Sequence, residues 1–435
     1  MKKTLTLQIH ITNEWKNLGV ITLDDDEVKG YRGKTYFDYD LDYVSQFLGN
    51  QNYYSVSLNC PVNFETYHFS GWAPFLLDLI PQGAGRRYWE KKLGLTNNPS
   101  SDWSILLHGA SNCVGHIRIK ESVDFIQNLP GPLIGFSKKD IYQQKTKVLN
   151  EMEKLGIPIG TSSSVQGDAP KFFLSEGIDG KWYPGGLLDS KKIKQEWLIK
   201  FSRSSKQQDR LVLKMEEKYF HVAHFFGIKT YRPLEWIEDT LFIPRFDVQN
   251  KKNKTFRFGM ESLASAMKIA EFGARPNQEL YLKCISEFST DPALDLQEYI
   301  RRDLLNICMG NTDNHPRNTA FIKDESSCRL SPIFDFAPMY LDTEGITRVC
   351  RWSADLEQAG LPHWKRILEY LNDNYPLEKL AQSSNKKENP NWTLFFKDLR
   401  KNLIRLNDHL DRFELNKNLI QECKKNIGLA LKDFP

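Results

Sequence analysis

No uninterrupted apolar run in this sequence approaches the roughly 20 residues that a transmembrane helix needs, so no membrane span is expected. The Met1-Lys2-Lys3 start does not lead into a continuous apolar core. Leu5-Thr6-Leu7-Gln8-Ile9-His10-Ile11 alternates apolar and polar residues as a half-buried strand does, which argues against a signal peptide. Cysteine is sparse: Cys60, Cys113, Cys284, Cys308, Cys328, Cys350 and Cys423 are scattered, odd in number and without a C-x-x-C spacing. That pattern speaks against a disulfide scaffold and a zinc site, and suits a reducing cytoplasm. A G-x-x-x-x-G-K-[ST] phosphate loop is missing, as are internal repeats and low-complexity tracts. Excess charge is small too. A net charge of +4 does not demand nucleic acid, and no helix-turn-helix segment is evident, so any DNA contact is expected to be indirect.

What remains is an ordinary globular composition, 40% hydrophobic and 26% charged, over 435 residues, enough for two or three domains. Residues 1–125 read as an N-terminal α/β subdomain. Its strands run over Leu5–Ile11, Gly19–Leu23 and Gly33–Tyr39, a short helix ends at Pro81, and a second helix near Trp103–Gly109 precedes a closing strand at Val114–Ile119. Residues 126–160 read as a connector with one helix. Residues 126–250 then contain apolar strands at Glu196–Phe201 and Leu241–Asp247, separated by a helical pattern over Leu211–Gly227. From about residue 251 to 435 the pattern turns helical: Glu261–Ala270, Gln278–Phe288, Leu296–Met309, Pro362–Asn374, Trp392–Phe413 and Lys417–Lys432. The expected fold is α+β, with strands first and helices after, the order of a two-lobed protein-kinase-like fold with an all-helical C-terminal lobe.

The stretch that carries chemistry is Gly310-Asn311-Thr312-Asp313-Asn314-His315-Pro316-Arg317-Asn318, followed by Asp335 in Ile333-Phe334-Asp335-Phe336. An Asp, an Asn five positions later and a second Asp beyond a short strand is the layout of a kinase catalytic loop and its metal-binding Asp. The first Asp orients a substrate hydroxyl. The Asn oxygen and the later Asp supply hard oxygen ligands for Mg²⁺. Read alone, the same residues also make a plain polar turn. Lys200, in the middle of an apolar strand, suits the lysine that holds nucleotide phosphates, although edge-strand lysines are common. Glu216 falls on the following helix, where it either pairs with Lys200 or faces solvent. Ser162-Ser163-Ser164-Val165-Gln166-Gly167-Asp168-Ala169-Pro170-Lys171 is a small-residue turn that either approaches phosphates with its backbone or is a Ser-rich surface turn.

With these pieces in order, the chain resembles the HipA family, serine/threonine kinase toxins of bacterial toxin–antitoxin pairs. Ser57-Leu58-Asn59-Cys60-Pro61, Phe75 to Pro81 and Cys113-Val114-Gly115 look like the family's N-terminal subdomain. The resemblance implies ATP and Mg²⁺ as cofactors. It implies nucleotide contacts from Ser164, Val165, Gln166, Gly167, Asp168, Lys200, the Arg245-Phe246-Asp247 hinge and His315. Asp313, His315 and Asn318 would be catalytic, Asn318 and Asp335 would hold the metal, and Glu216 would be the supporting ion-pair partner. It implies autophosphorylation at Ser164, with Ser162 as a second site. It further implies a cytosolic protein substrate, such as glutamyl-tRNA synthetase or another translation factor, a role in persistence, and a small helix-turn-helix antitoxin through which DNA is reached. The phosphate loop departs from the family's usual Val-Gly-Gly-Ala-Arg-Pro-Lys at Gln166, Asp168 and Ala169. That departure motivates the alternative of a catalytically weak, nucleotide-binding co-repressor.

Overall fold

The computed structural model describes residues 2–128, 132–154, 170–204, 206–251, 254–342, 347–380 and 391–435. The chain divides into two compact units. The first comprises Met1–Ser205, Leu234–Gly273 and Ile322–Ser327; the second comprises Lys206–Pro233, Ala274–Phe321 and Cys328–Pro435.

Two five-stranded antiparallel sheets form the bulk of the first unit. Strands β1 (Lys3–Ile11), β2 (Glu14–Leu23), β3 (Thr35–Tyr39), β4 (Tyr67–Phe69) and β5 (Ile117–Ile119) lie in the order β4-β3-β2-β1-β5. The alternation read in the opening residues is what buries Leu5, Leu7 and Ile9 completely on one face of β1, each such side chain contributing about 2 kcal/mol of hydrophobic stabilisation. The second sheet contains β6 (Lys171–Gly177), β7 (Trp182–Pro184), β8 (Ile193–Phe201), β9 (Glu235–Ile237) and β10 (Thr240–Pro244), ordered β7-β6-β8-β10-β9. Its middle strand, β8, has no polar face to offer water: seven of its nine residues are apolar or buried, in keeping with neighbours on both sides.

The second unit is mainly helical, with helices Gln207–Phe225, Gln278–Phe288, Pro292–Met309, Trp364–Asn374, Trp392–His409 and Lys417–Asp433. Pro292–Met309 is delimited by its sequence at both ends. The Asp291 side chain accepts from Leu294 N–H and Pro292 occupies the first turn, where its missing N–H costs nothing. Gly310 ends the helix in the left-handed region at φ 67°. Leu296, Ile300, Leu304 and Cys308 form its fully buried stripe.

Three expectations need correction. The connector over 126–160 holds more than one helix: Lys138–Gln143 is fastened by a Ser137/Asp140 capping box, and Lys145–Lys154 restarts after Gln144 leaves helical geometry. The helix expected over Glu261–Ala270 is instead a strand, Gly259–Ser262, and a single turn, Leu263–Ala266. Glu261 is drawn inward there, accepting from the Ser57 hydroxyl at 2.6 Å, Leu58 N–H at 2.9 Å and Lys323 Nζ at 3.0 Å. Nor is the C-terminal part all helical: Ala320–Lys323 and Cys328–Leu330 are strands, as are Glu357–Gln358 and Leu361–Pro362. Strands of two to four residues are too short to display an alternating pattern.

Candidate active site

The catalytic-loop motif is held in shape by bonds that the loop's own polar residues make. After the Gly310 turn, Asn311 folds back on the helix, its N–H reaching Asn306 O at 2.8 Å and its Nδ2 reaching Asn306 Oδ1 at 2.9 Å. Thr312 O accepts from Val349 N–H at 3.1 Å. Asn314 clasps Cys350 at both ends: its Nδ2 donates to Cys350 O at 2.7 Å and its Oδ1 accepts from Cys350 N–H at 2.9 Å. Segment 349–350 is thus tied to the loop by one backbone bond and by the Asn314 side chain.

Asp313, 6% exposed, sits between two loop partners. Asn318 Nδ2 donates to Asp313 O at 2.9 Å and leans on its carboxylate at 3.4 Å. His315 Nδ1 accepts from Arg317 N–H at 3.2 Å, which leaves the ring proton on Nε2. That nitrogen lies 3.6 Å from Asp313 Oδ1.

Asp335 arrives from the strand side. Arg302 Nη2 donates to Ser331 O at 2.7 Å, and Ile333 N–H donates to Lys229 O at 2.9 Å, pinning the chain just ahead of it. Asp335 itself has φ 50°, a left-handed conformation that few non-glycine residues adopt, Asn and Asp more readily than others. Non-glycine residues held there concentrate at functional sites. Asp313, Asn318 and Asp335 line one open pocket of about 440 Å³ of empty space, together with Asn311 and Asp303. Beneath it, Asp303 is fixed by Arg348 Nη2 at 2.7 Å and Trp352 Nε1 at 2.9 Å. Burial opposes the Arg348 charge, but Asp303 and Glu357 together outweigh it and hold the guanidinium above its usual pKa.

The pocket's donor set fits a small hard cation. It combines the Asp335 carboxylate, the Asn318 amide whose nitrogen is committed to Asp313, and Asn311 Oδ1, a buried oxygen without a hydrogen-bond partner among the described residues. Asn311 was not singled out in the sequence. Its signal was there, an Asn directly after the helix-ending glycine, but turn composition alone explains that equally well.

Of the other sequence candidates, Lys200 is 6% exposed on β8, which is a central strand, so the edge-strand reading fails. It lies directly across from Lys171 on β6, itself 4% exposed. The two lysines are neighbours on one face of the sheet, and Lys171 is the second residue that local pattern did not reveal. Glu216, in the other unit, is buried at 7% exposure rather than solvated. Arg245 and Asp247 turn inward: Arg245 Nε and Nη2 bind the Asp247 carboxylate at 3.0 and 2.5 Å, Nη2 also reaches Cys113 O, and Gly115 N–H donates to Asp247 at 2.7 Å. Burial works against both charges, yet their pairing holds Arg245 above and Asp247 below the usual value. Ser162, Ser164, Val165, Gln166, Gly167 and Asp168 lie outside the described residues.

Family profiles match the chain twice: the HipA N-terminal domain over residues 13–120, and the HipA-like C-terminal domain over 163–388, which contains this loop and is just over half of the chain. The chain belongs to the HipA-like family. No curated protein sequence matches it. Among solved structures it is similar to HipA of the Shewanella oneidensis MR-1 toxin–antitoxin system, determined with HipB and operator DNA. That likeness has TM-score 0.64 and 13% identity, and covers 99% of this chain and 96% of that one. A weaker likeness, TM-score 0.33 at 12% identity over 55% of this chain and 88% of the other, is to the Helicobacter pylori proinflammatory kinase CtkA and carries no argument. The fold is therefore a mixed α/β HipA-like fold. Among the described residues, no helix is long and apolar enough to cross a membrane.

Proposed function

We propose that this HipA-like protein is an ATP- and Mg²⁺-dependent serine/threonine protein kinase of a two-lobed, kinase-like fold, acting as the toxin of a toxin–antitoxin pair. The observation that carries this reading is the joint arrangement of Asp313, Asn318 and Asp335 on one pocket, with the Asn318 amide nitrogen tied to Asp313. Asn318 and Asp335 would hold Mg²⁺, which when bound neutralises the phosphate charge. Asp313 orients the substrate hydroxyl and takes its proton as that oxygen attacks the γ-phosphorus. The bond to the bridging oxygen breaks, and ADP leaves with the electron pair. His315, with its ring proton on Nε2, steadies the Asp313 carboxylate. Lys200 and its neighbour Lys171 supply positive charge for the nucleotide phosphates. Because the Arg245 and Asp247 side chains are committed to each other, nucleotide contact from that hinge falls to its backbone and Phe246.

On the same reading, the protein phosphorylates a cytosolic protein of the translation machinery and itself at Ser164 or Ser162, pairs with a small helix-turn-helix antitoxin and reaches DNA only through it. The likeness to a HipA determined with HipB and operator DNA supports that partner class. The test is phosphopeptide mass spectrometry after incubation with ATP and Mg²⁺, beside Asp313→Ala. Phosphate on Ser162–Ser164 in the wild type and none in the variant is expected. Intact ATP binding with no transfer, to itself or to translation factors, would favour a nucleotide-binding co-repressor instead.

A further inference from the structure

A second pocket lies wholly within the first unit and is lined by none of the catalytic-loop residues. It is open to solvent, which its empty space of about 490 Å³ includes, and is walled by Val123, Ile126, Phe173 and Leu187 on its apolar side and by Asn112 and Arg118 on its polar side. Gly185 and Gly186 line it without side chains; a Cβ on Gly185 would come within 2.8 Å of Asn112 Nδ2.

Its electrostatics are unusual. Arginines are rarely buried unless paired. Arg118 is half-buried, with its face over the Trp15 ring at 3.8 Å and its Nε on Gln8 Oε1 at 3.0 Å, and meets no carboxylate within ion-pair distance among the described residues. Arg257, 9% exposed, sits on the same Trp15 ring at 5.4 Å. Among the described residues its hydrogen bonds are long, to Gly115 O at 3.4 Å and Asn112 Oδ1 at 3.5 Å. A third guanidinium, Arg245, stacks on the pocket wall Phe173 at 4.1 Å. Nearby carboxylates offset part of this charge: Glu196, which accepts from the Ser175 hydroxyl, and Asp247, bound by Arg245 and Gly115 N–H, act on Arg257, and Asp124 acts on Arg118. Burial first, then the Arg257 charge, pull Arg118 down to about 10. Burial first, then the Arg245 charge, do the same to Arg257. Asn112 orients between them, its Oδ1 toward Arg257 and its Nδ2 buried without a partner among the described residues.

We infer that this pocket binds a small organic oxyanion, its charged group meeting Arg118 and the Asn112 amide N–H and its apolar body resting against Ile126, Phe173 and Leu187. An acceptor on the ligand would satisfy the orphaned Nδ2 and offset charge that the nearby carboxylates compensate only in part. The apolar walls favour a carboxylate or phosphate carried on a hydrophobic body over a bare ion. The site is independent of the phosphotransfer reading and would remain if that reading failed.

The test is calorimetric titration of the full chain with sodium benzoate and with inorganic phosphate, at ionic strength fixed with sodium chloride. Benzoate is expected to bind more tightly than phosphate, and Arg118→Gln to weaken it by ~10-fold or more, the loss typical of a charge-assisted bond. Gln127, exposed at the mouth, permits a test that leaves the interior untouched: Gln127→Glu should weaken benzoate and Gln127→Lys strengthen it. Tighter binding of phosphate than of benzoate would overturn the apolar part of the assignment. No heat from either probe, or affinities indifferent to both Arg118→Gln and Gln127→Glu, would overturn the site.

Discussion

At the scale of single residues, two buried histidines give the molecule an acid limit. His116 Nε2 donates to Tyr53 O at 2.8 Å, and its Nδ1 has no partner among the described residues. His10 rests edge-on against Trp15. Burial first, then Lys323 for His116 and Arg257 and Arg118 for His10, push both down to about 3 from an ordinary 6.5. Between those values the unfolded chain binds protons that the folded one refuses, so stability is whole above about pH 6.5 and declines as pH falls toward 3. Each histidine contributes a slope of ~1.4 kcal/mol per pH unit at most. Urea midpoints should hold from pH 8 to 7 and fall from 6.5 to 5, before carboxylates protonate. His116→Gln should make that fall shallower; an unchanged slope would mean that His116 is not the group responsible.

At the scale of elements, the helix Pro292–Met309 and the loop it launches depend on one turn. Gly310 is left-handed, and a Cβ there would lie 2.5 Å from Tyr340 Cδ1. Tyr340 N–H also donates to Gly310 O at 3.1 Å, so the ring cannot withdraw without disturbing the turn. Gly310→Ala should therefore cost ~1–3 kcal/mol from backbone strain and displaced packing, read as a drop in Tm. If Tm holds, the tyrosine moves freely and the turn is not constrained as the geometry implies. The same element makes the loop recognisable from its residues alone: an apolar periodic run, a glycine, then a dense set of Asn, Asp and His is a helix end leading into a polar loop.

At the scale of the whole molecule, ligand binding and stability are linked. A ligand held only by the folded chain at 100 times its Kd stabilises by ~2.7 kcal/mol. On the kinase reading, ATP with Mg²⁺ should raise Tm, and removing Mg²⁺ with EDTA should remove most of the gain. Asp335→Asn should lose the Mg²⁺-dependent part, whereas Asp313→Asn should keep it, because Asp313 acts on the substrate hydroxyl. Equal behaviour of the two variants would sink that division of roles.

Read by itself, the sequence determined what local period and local chemistry can carry. The alternation of β1, a helix ending at Met309, and the order of Asp313, Asn318 and Asp335 were all legible, and so was the family. Short strands such as Cys328–Leu330 were not, because three residues carry no period. Tertiary structure alone decided which polar residues face one another. Arg245 meets Cys113 and Asp247 meets Gly115 across 132 positions of chain. Lys171 stands beside Lys200 through the register of β6 on β8, and Arg118 and Arg257 share the Trp15 ring. Such meetings follow from strand register and from the cost of burying charge, and neither is written in the spacing of residues along the chain.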